Sequence, residues 1–201
     1  EQNWAVSKDG TRIPYSVVRR KDAPLDGSNP TLLYAYGGFL VSQTPAYAAT
    51  PGKLWLEKGG IYVVANIRGG GEFGPRWHNA GLKLDRMRVY EDFFAVSEDL
   101  IRRGYTSPRR LGIMGGSNGG LLMGVALTKR PELYNAVVIQ VPLFDMIRYT
   151  QIGAGASWVG EYGDPAIPAE RDMLMSYSPY QNLKAGQPYP LVFIETSTKD
   201  D

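Results

Sequence analysis

The chain has 201 residues, 43% of them hydrophobic and 21% charged, with a net charge of +2; that suffices for one globular domain with a real core and gives no electrostatic case for nucleic acid. Cysteine is absent, which excludes disulfides and thiolate metal sites, and no apolar run approaches the ~18 residues needed to span a bilayer. The chain opens at Glu1 without a signal-peptide pattern and closes at "STKDD" directly after an apolar run, so both ends read as cut. The expectation is part of a longer cytoplasmic protein.

In chain order, "SKDGTRIPYSVVRR" reads as hairpin strands around the Asp9-Gly10 turn. "TLLYAY" (31–36) is a strand that stops at Gly37-Gly38, and "IYVVANI" (61–67) is another that stops before Gly69-Gly70-Gly71. "RGGG" (68–71) lacks the Lys-Ser/Thr of a phosphate loop, so a tight turn is expected. A helix over 89–104 places Val89, Phe93, Val96 and Leu100 on one face and closes at Gly104. "RLGIM" (110–114) is a strand that stops at Gly115-Gly116, and "NGGLLMGVALTKR" a helix ended by Pro131. "AVVIQV" (136–141) and "LVFIET" (191–196) are further strands. Such continuous apolar runs predict strands buried on both faces. Their alternation with helices predicts a parallel sheet, with ligands bound beyond the carboxyl ends of the strands. The glycine clusters lie at those ends.

"GGSNGG" (115–120) contains G-x-S-x-G. In that pattern the serine sits on a sharp strand-to-helix turn, which pushes its hydroxyl out at the top of a sheet. Residues two before and two after the serine must be tiny, and here they are Gly115 and Gly119; Gly116 and Gly120 extend the clearance. The bare pattern is short enough to arise by chance, but here a buried strand ends at Ser117 and a helix begins from it. Helix amides near Ser117 would favour developing negative charge. A serine nucleophile needs a base, and the base needs a third group to orient it. On such sheets the order is Ser, then Asp or Glu, then His. "LVFIETSTKDD" supplies Asp200 and Asp201 after a late strand, although a solvated acidic turn would look the same. The chain has one histidine, His78, which precedes the serine and is therefore expected to be structural or at the rim of the site. The base is expected beyond Asp201.

With these residues assembled, "YAYGGF", "ANIRGGGEFG", "RWHNAG", "GYTSPRRLGIMGGSNGGLL", "RPELYNAVVIQVPLFDM", "ASWVGEYGD", "YSPYQN" and "STKDD" resemble, in order, the prolyl oligopeptidase family of serine peptidases. The resemblance covers essentially the whole chain. It implies an α/β-hydrolase fold, a mostly parallel sheet with helices on both faces, lacking here its C-terminal elements and the family's N-terminal β-propeller. It implies hydrolysis of short peptides, after proline, through an acyl-enzyme on Ser117. By the same resemblance the Asn118 backbone N–H and the Tyr36 phenol would hold the oxyanion, and Asp200 would orient the histidine. Trp158, Tyr162, Phe39 and Leu143 would wall the pocket for the residue before the scissile bond, where a flat indole suits a proline ring. Core packing is the competing reading of Trp158, Phe39 and Leu143. No metal or cofactor is implied; the implied partners are a short peptide and the remainder of the chain, with no nucleic acid or membrane. The family's histidine and the arginine after its two aspartates fall outside the chain. "EFGPRWHNAG" and "GASWVG" look closer to bacterial members of uncertain substrate than to the best-known prolyl enzymes. A carboxylesterase on the same fold and a binding module that has lost its triad are the alternatives. Tyr36-Gly37-Gly38-Phe39 argues against the first, since esterases often carry an H-G-G-G loop there.

Overall fold

In the computed structural model, which describes residues 1–198, the Asp9-Gly10 turn forms as its sequence predicts. Gly10 adopts φ +86°, and β1 (Gln2–Val6) pairs antiparallel with β2 (Arg12–Val18). β2 in turn pairs antiparallel with β4 (Ile61–Ala65). From β4 onward the sheet is parallel, through β3 (Thr31–Tyr34), β5 (Leu111–Gly116), β6 (Ala136–Gln140) and β7 (Leu191–Glu195). The spatial order is β1-β2-β4-β3-β5-β6-β7. The expected mostly parallel sheet is thus present, with the N-terminal hairpin on one edge.

Seven helices are described: α1 (Ala49–Leu54), α2 (Pro75–Asn79), α3 (Met87–Arg102), α4 (Asn118–Lys129), α5 (Val159–Tyr162), α6 (Pro168–Tyr177) and α7 (Pro179–Asn182). α3 begins two residues before its predicted start. It stops just ahead of Gly104, whose φ of +75° ends the helix. α4 stops one residue short of Arg130, which precedes Pro131. The segment 155–163 has the glycine-flanked composition of a loop. It forms instead a 3₁₀ turn (Gly155–Trp158) running into α5. So short a helix carries no periodic signal and forms only because its neighbours pack on it.

The strands are buried less evenly than their composition predicts. Leu33, Val63, Ile113, Val137 and Ile139 are fully or almost fully buried, whereas Leu32, Tyr34, Tyr62, Met114 and Val138, on the alternate row, are half-buried. α3 packs against β1, β2 and α4, and α4 packs against β5 and β6. α4 is apolar all round, and every residue from Asn118 to Thr128 is buried. β7 is the exception among the strands. All five of its residues are exposed, with Leu191 at 77% and Phe193 at 62%.

One buried ion pair joins the hairpin, the end of β4 and α3. The Arg68 guanidinium donates to both Asp92 oxygens, at 2.9 Å (Nε) and 2.6 Å (Nη2), and Nη1 donates to Asp9 at 2.5 Å. Ser7 Oγ donates to Asp92 at 2.6 Å. Burial raises the Asp92 carboxyl above its usual range, against hydrogen bonds from Arg68 and Ser7 that lower it. "RGGG" is accordingly a tight turn, with its arginine pointing into the protein and the Gly69 amide bonded to Trp77 O at 3.1 Å. Among the described residues no helix is long and apolar enough to cross a membrane, and no group of three or more His, Cys, Asp or Glu is placed to hold a metal ion.

Asp92→Ala should destabilise the chain by about 3–5 kcal/mol, because it strands a buried guanidinium that Asp9 only partly compensates. Urea denaturation measures this; a loss below about 1 kcal/mol would mean that Arg68 finds water or another partner.

Candidate active site

Ser117 follows the last residue of β5 and caps α4 with φ +56° and ψ −119°. That is a costly conformation for a residue with a side chain, and it persists only where the surroundings over-determine it. The surroundings are close backbone approaches. A Cβ on Gly115 would lie 2.5 Å from Gly119 O, one on Gly119 3.1 Å from Ala35 O, and one on Gly120 2.6 Å from Gln140 O. Gly116 differs from expectation, because a Cβ there would meet nothing nearer than 3.5 Å. Its smallness is not required by the turn. The Ser117 amide donates to Gln140 O at 2.9 Å, tying the turn to the end of β6. A serine at a helix N-cap usually accepts from an amide of the first turn. Here it makes no such bond; the twisted backbone leaves Ser117 exposed among buried neighbours.

The adjacent Asn118 is 1% exposed. Its backbone N–H belongs to the first turn of α4, whose amides have no intrahelical acceptor. Its side chain holds the 36–39 loop: Nδ2 donates to Tyr36 O at 2.6 Å, and a Cβ on Gly38 would fall 2.5 Å from that same nitrogen. Strained backbone recurs here. Phe39 and Leu40 have φ of +53° and +58°, and Val141, at the end of β6, has +39°. All border the serine or the loop opposite it.

Ser117, Leu143 and Trp158 line one cleft of about 380 Å³, together with Phe144, Tyr149 and Ile152. Residues 196–198, which follow β7, also line it. Tyr162 and Phe39 are not part of its lining. Tyr162 is 1% exposed and donates its hydroxyl to Asn118 Oδ1 at 2.9 Å. Burial pushes its phenol well above the usual tyrosine range. The Phe39 and Tyr149 rings each meet the Tyr162 ring edge-on, with centroids 5.6 Å apart. Tyr162 therefore stands behind the cleft wall and supports Tyr149 from the back. Asp200 lies outside the described residues. The carboxylate bordering the cleft, Asp145, is already engaged by Gln181 Nε2 at 2.9 Å and Arg148 Nε at 2.6 Å. Partial burial raises its pKa, but these bonds outweigh burial and leave it below the usual range.

A second polar cluster lies behind the serine, and sequence reading did not assemble it. Arg86, fully buried, donates through Nη2 to Asn118 Oδ1 and through Nη1 to Glu161 Oε1 at 2.8 Å, with its guanidinium 4.9 Å from the centre of the Tyr162 ring. Glu161 Oε1 also accepts from the Phe39 backbone N–H at 2.9 Å, and its Oε2 lies 2.7 Å from His78 Nε2. Burial opposes the Arg86 charge, but the surrounding Tyr90, Tyr162, Tyr177 and Glu161 outweigh it and keep its pKa above the usual value. His78 thus spends its Nε2 on Glu161. "RWHNAG" and "GEYG" were visible as strings. Their pairing across 83 residues leaves no mark in either.

Residues 48–201 match the prolyl oligopeptidase family. An uncharacterized peptidase of Sinorhizobium fredii is 65% identical over the whole chain, and the prolyl endopeptidase of Elizabethkingia meningoseptica 46% identical, also over the whole chain; in both, the chain covers 28% of the relative. Among solved structures, a post-proline cleaving enzyme from Rickettsia typhi superimposes with a TM-score of 0.94 at 53% identity, over 96% of this chain and 28% of its own. Prolyl oligopeptidase B from Galerina marginata, solved with a 25mer macrocyclization substrate, superimposes with a TM-score of 0.92 at 36% identity, over 96% of this chain and 27% of its own. The chain therefore spans little more than a quarter of the length of these relatives.

Proposed function

The chain belongs to the prolyl oligopeptidase family, and from that premise we propose that it carries the nucleophile and oxyanion hole of a serine peptidase that cleaves short peptides after proline. The observation that carries this reading is Ser117, exposed on a strained strand-to-helix turn and opening onto a cleft walled by Trp158 and Leu143. Ser117 Oγ attacks the scissile carbonyl carbon, and its proton passes to a histidine that lies outside these 201 residues. Asp200 orients that histidine; residues 196–198 at the cleft support this assignment, because the chain leads there from β7. The carbonyl oxygen becomes an oxyanion held by the Asn118 backbone N–H and the Tyr36 hydroxyl. The histidine then protonates the leaving amine, and water releases the acyl group by the reverse sequence. The exposed apolar faces of β7 fit a surface that further chain covers in the whole enzyme.

The 201-residue chain alone should be nearly inactive on a proline-containing peptide, since removal of a triad member leaves only residual catalysis. Turnover within about tenfold of the whole enzyme would mean that the base lies within the chain. In the whole enzyme, Tyr36→Phe should lower kcat by on the order of 10² to 10³ without shifting the melting curve; unchanged kcat would remove Tyr36 from the oxyanion hole.

Trp158→Ala should lower kcat/KM for substrates with proline before the scissile bond by roughly 10² to 10³, because a buried pocket then no longer covers the proline ring with apolar surface. Substrates with alanine there should suffer less, because a methyl covers little of the indole. The readout is the proline-to-alanine ratio of kcat/KM in wild type and mutant; an unchanged ratio would leave Trp158 with packing alone.

A further inference from the structure

The 36–39 loop is fastened at both ends. Its Tyr36 carbonyl accepts from Asn118 Nδ2 at 2.6 Å, and its Phe39 amide donates to Glu161 Oε1 at 2.9 Å. The second bond falls where the backbone is least comfortable, with Phe39 at φ +53° and Leu40 at φ +58°. Two successive side-chain-bearing residues with positive φ need an outside partner to stay there. Glu161 is a costly partner to keep for packing alone. Its side chain is 5% exposed, and its charge is matched by a fully buried Arg86. Replacing a buried pair of this kind with apolar residues of similar volume is often neutral for stability, so stability by itself does not account for the pair. What apolar residues would not supply is an acceptor for the Phe39 amide.

We propose that Glu161 is a positioning residue for catalysis: by accepting from the Phe39 amide it holds the 36–39 loop in its strained form and so aims the Tyr36 hydroxyl at the oxyanion. Arg86 neutralises the buried carboxylate and spans from it to Asn118, so that the second oxyanion donor and the loop share one frame. His78 closes the outer side of Glu161. The inference rests on the peptidase reading above and on Tyr36 as an oxyanion donor.

The test compares two double variants of the whole enzyme, Arg86→Met with Glu161→Gln and Arg86→Met with Glu161→Met. Both remove the buried charges and the Arg86–Asn118 bond, and both keep side-chain volume. They differ in whether position 161 can accept from the Phe39 amide. With kcat taken per folded molecule, the methionine version should be slower than the glutamine version by roughly 10- to 100-fold, the scale of a misaimed catalytic group. In a Tyr36→Phe background the gap should shrink to about threefold or less, because the hydroxyl being aimed is gone. Equal kcat in the two double variants, or a gap of the same size without the Tyr36 hydroxyl, would overturn the inference. If Tyr36→Phe by itself leaves wild-type kcat unchanged, the oxyanion assignment is what fails, and that outcome is read without either double variant.

Discussion

The backbone at Ser117 constrains everything around it. A serine at φ +56° brings the strand before it and the helix after it almost into contact, which leaves no room for a side chain at Gly115, while the Ala35 carbonyl crowds Gly119 from just beyond β3. Because the turn comes straight off β5, a central strand of the parallel sheet, it inherits the rigidity of the sheet core. Because α4 leaves the turn directly across β5 and β6, that helix is driven deep into the protein and must be apolar on every side. The glycines, the all-round apolar helix and the exposed hydroxyl are consequences of one conformation.

Strain at the serine is echoed in the segments around it. Phe39, Leu40 and Val141 also occupy the left-handed region, and each belongs to a segment that meets the turn at Ser117 or the start of α4. Such strain is maintained by bonds made elsewhere. The Ser117 amide is fixed to Gln140 O, the Tyr36 carbonyl to Asn118, and the Phe39 amide to Glu161. Asn118 is the hub. Its backbone opens the first turn of α4 beside Ser117, while its side chain receives Arg86 and Tyr162 and grips the opposite loop.

The two buried arginines serve different ends. Arg68 ties the hairpin, the end of β4 and α3 together through Asp9 and Asp92, and it is not part of the cleft lining. Arg86 couples the start of α3 to the start of α4, at Asn118, and to α5. Both satisfy the same electrostatic rule, that a guanidinium removed from water keeps a carboxylate in reach. Nothing in the local sequence of either distinguishes the scaffold role from the site role.

The sequence by itself determined the parallel sheet, the two long helices and the sharp turn at Ser117, because each is written locally: apolar runs for strands, a 3.6-residue stripe for α3, and small residues flanking Ser117. Family likeness in motifs such as "YAYGGF" and "SWVGEYG" nominated the site residues beyond the serine. Tertiary structure decided the rest. It brought Trp158 and Leu143 to the cleft, withdrew Tyr162 behind the wall and left Phe39 packed edge-on against Tyr162. It made Gly116 sterically unnecessary while Gly120 is not. Above all it joined His78, Arg86, Asn118 and Glu161, which lie up to 83 residues apart along the chain. The physical reason is that strands, helices and tight turns follow from neighbours within a few residues, whereas a buried charge network depends on which distant partner the packed fold brings within about 3 Å.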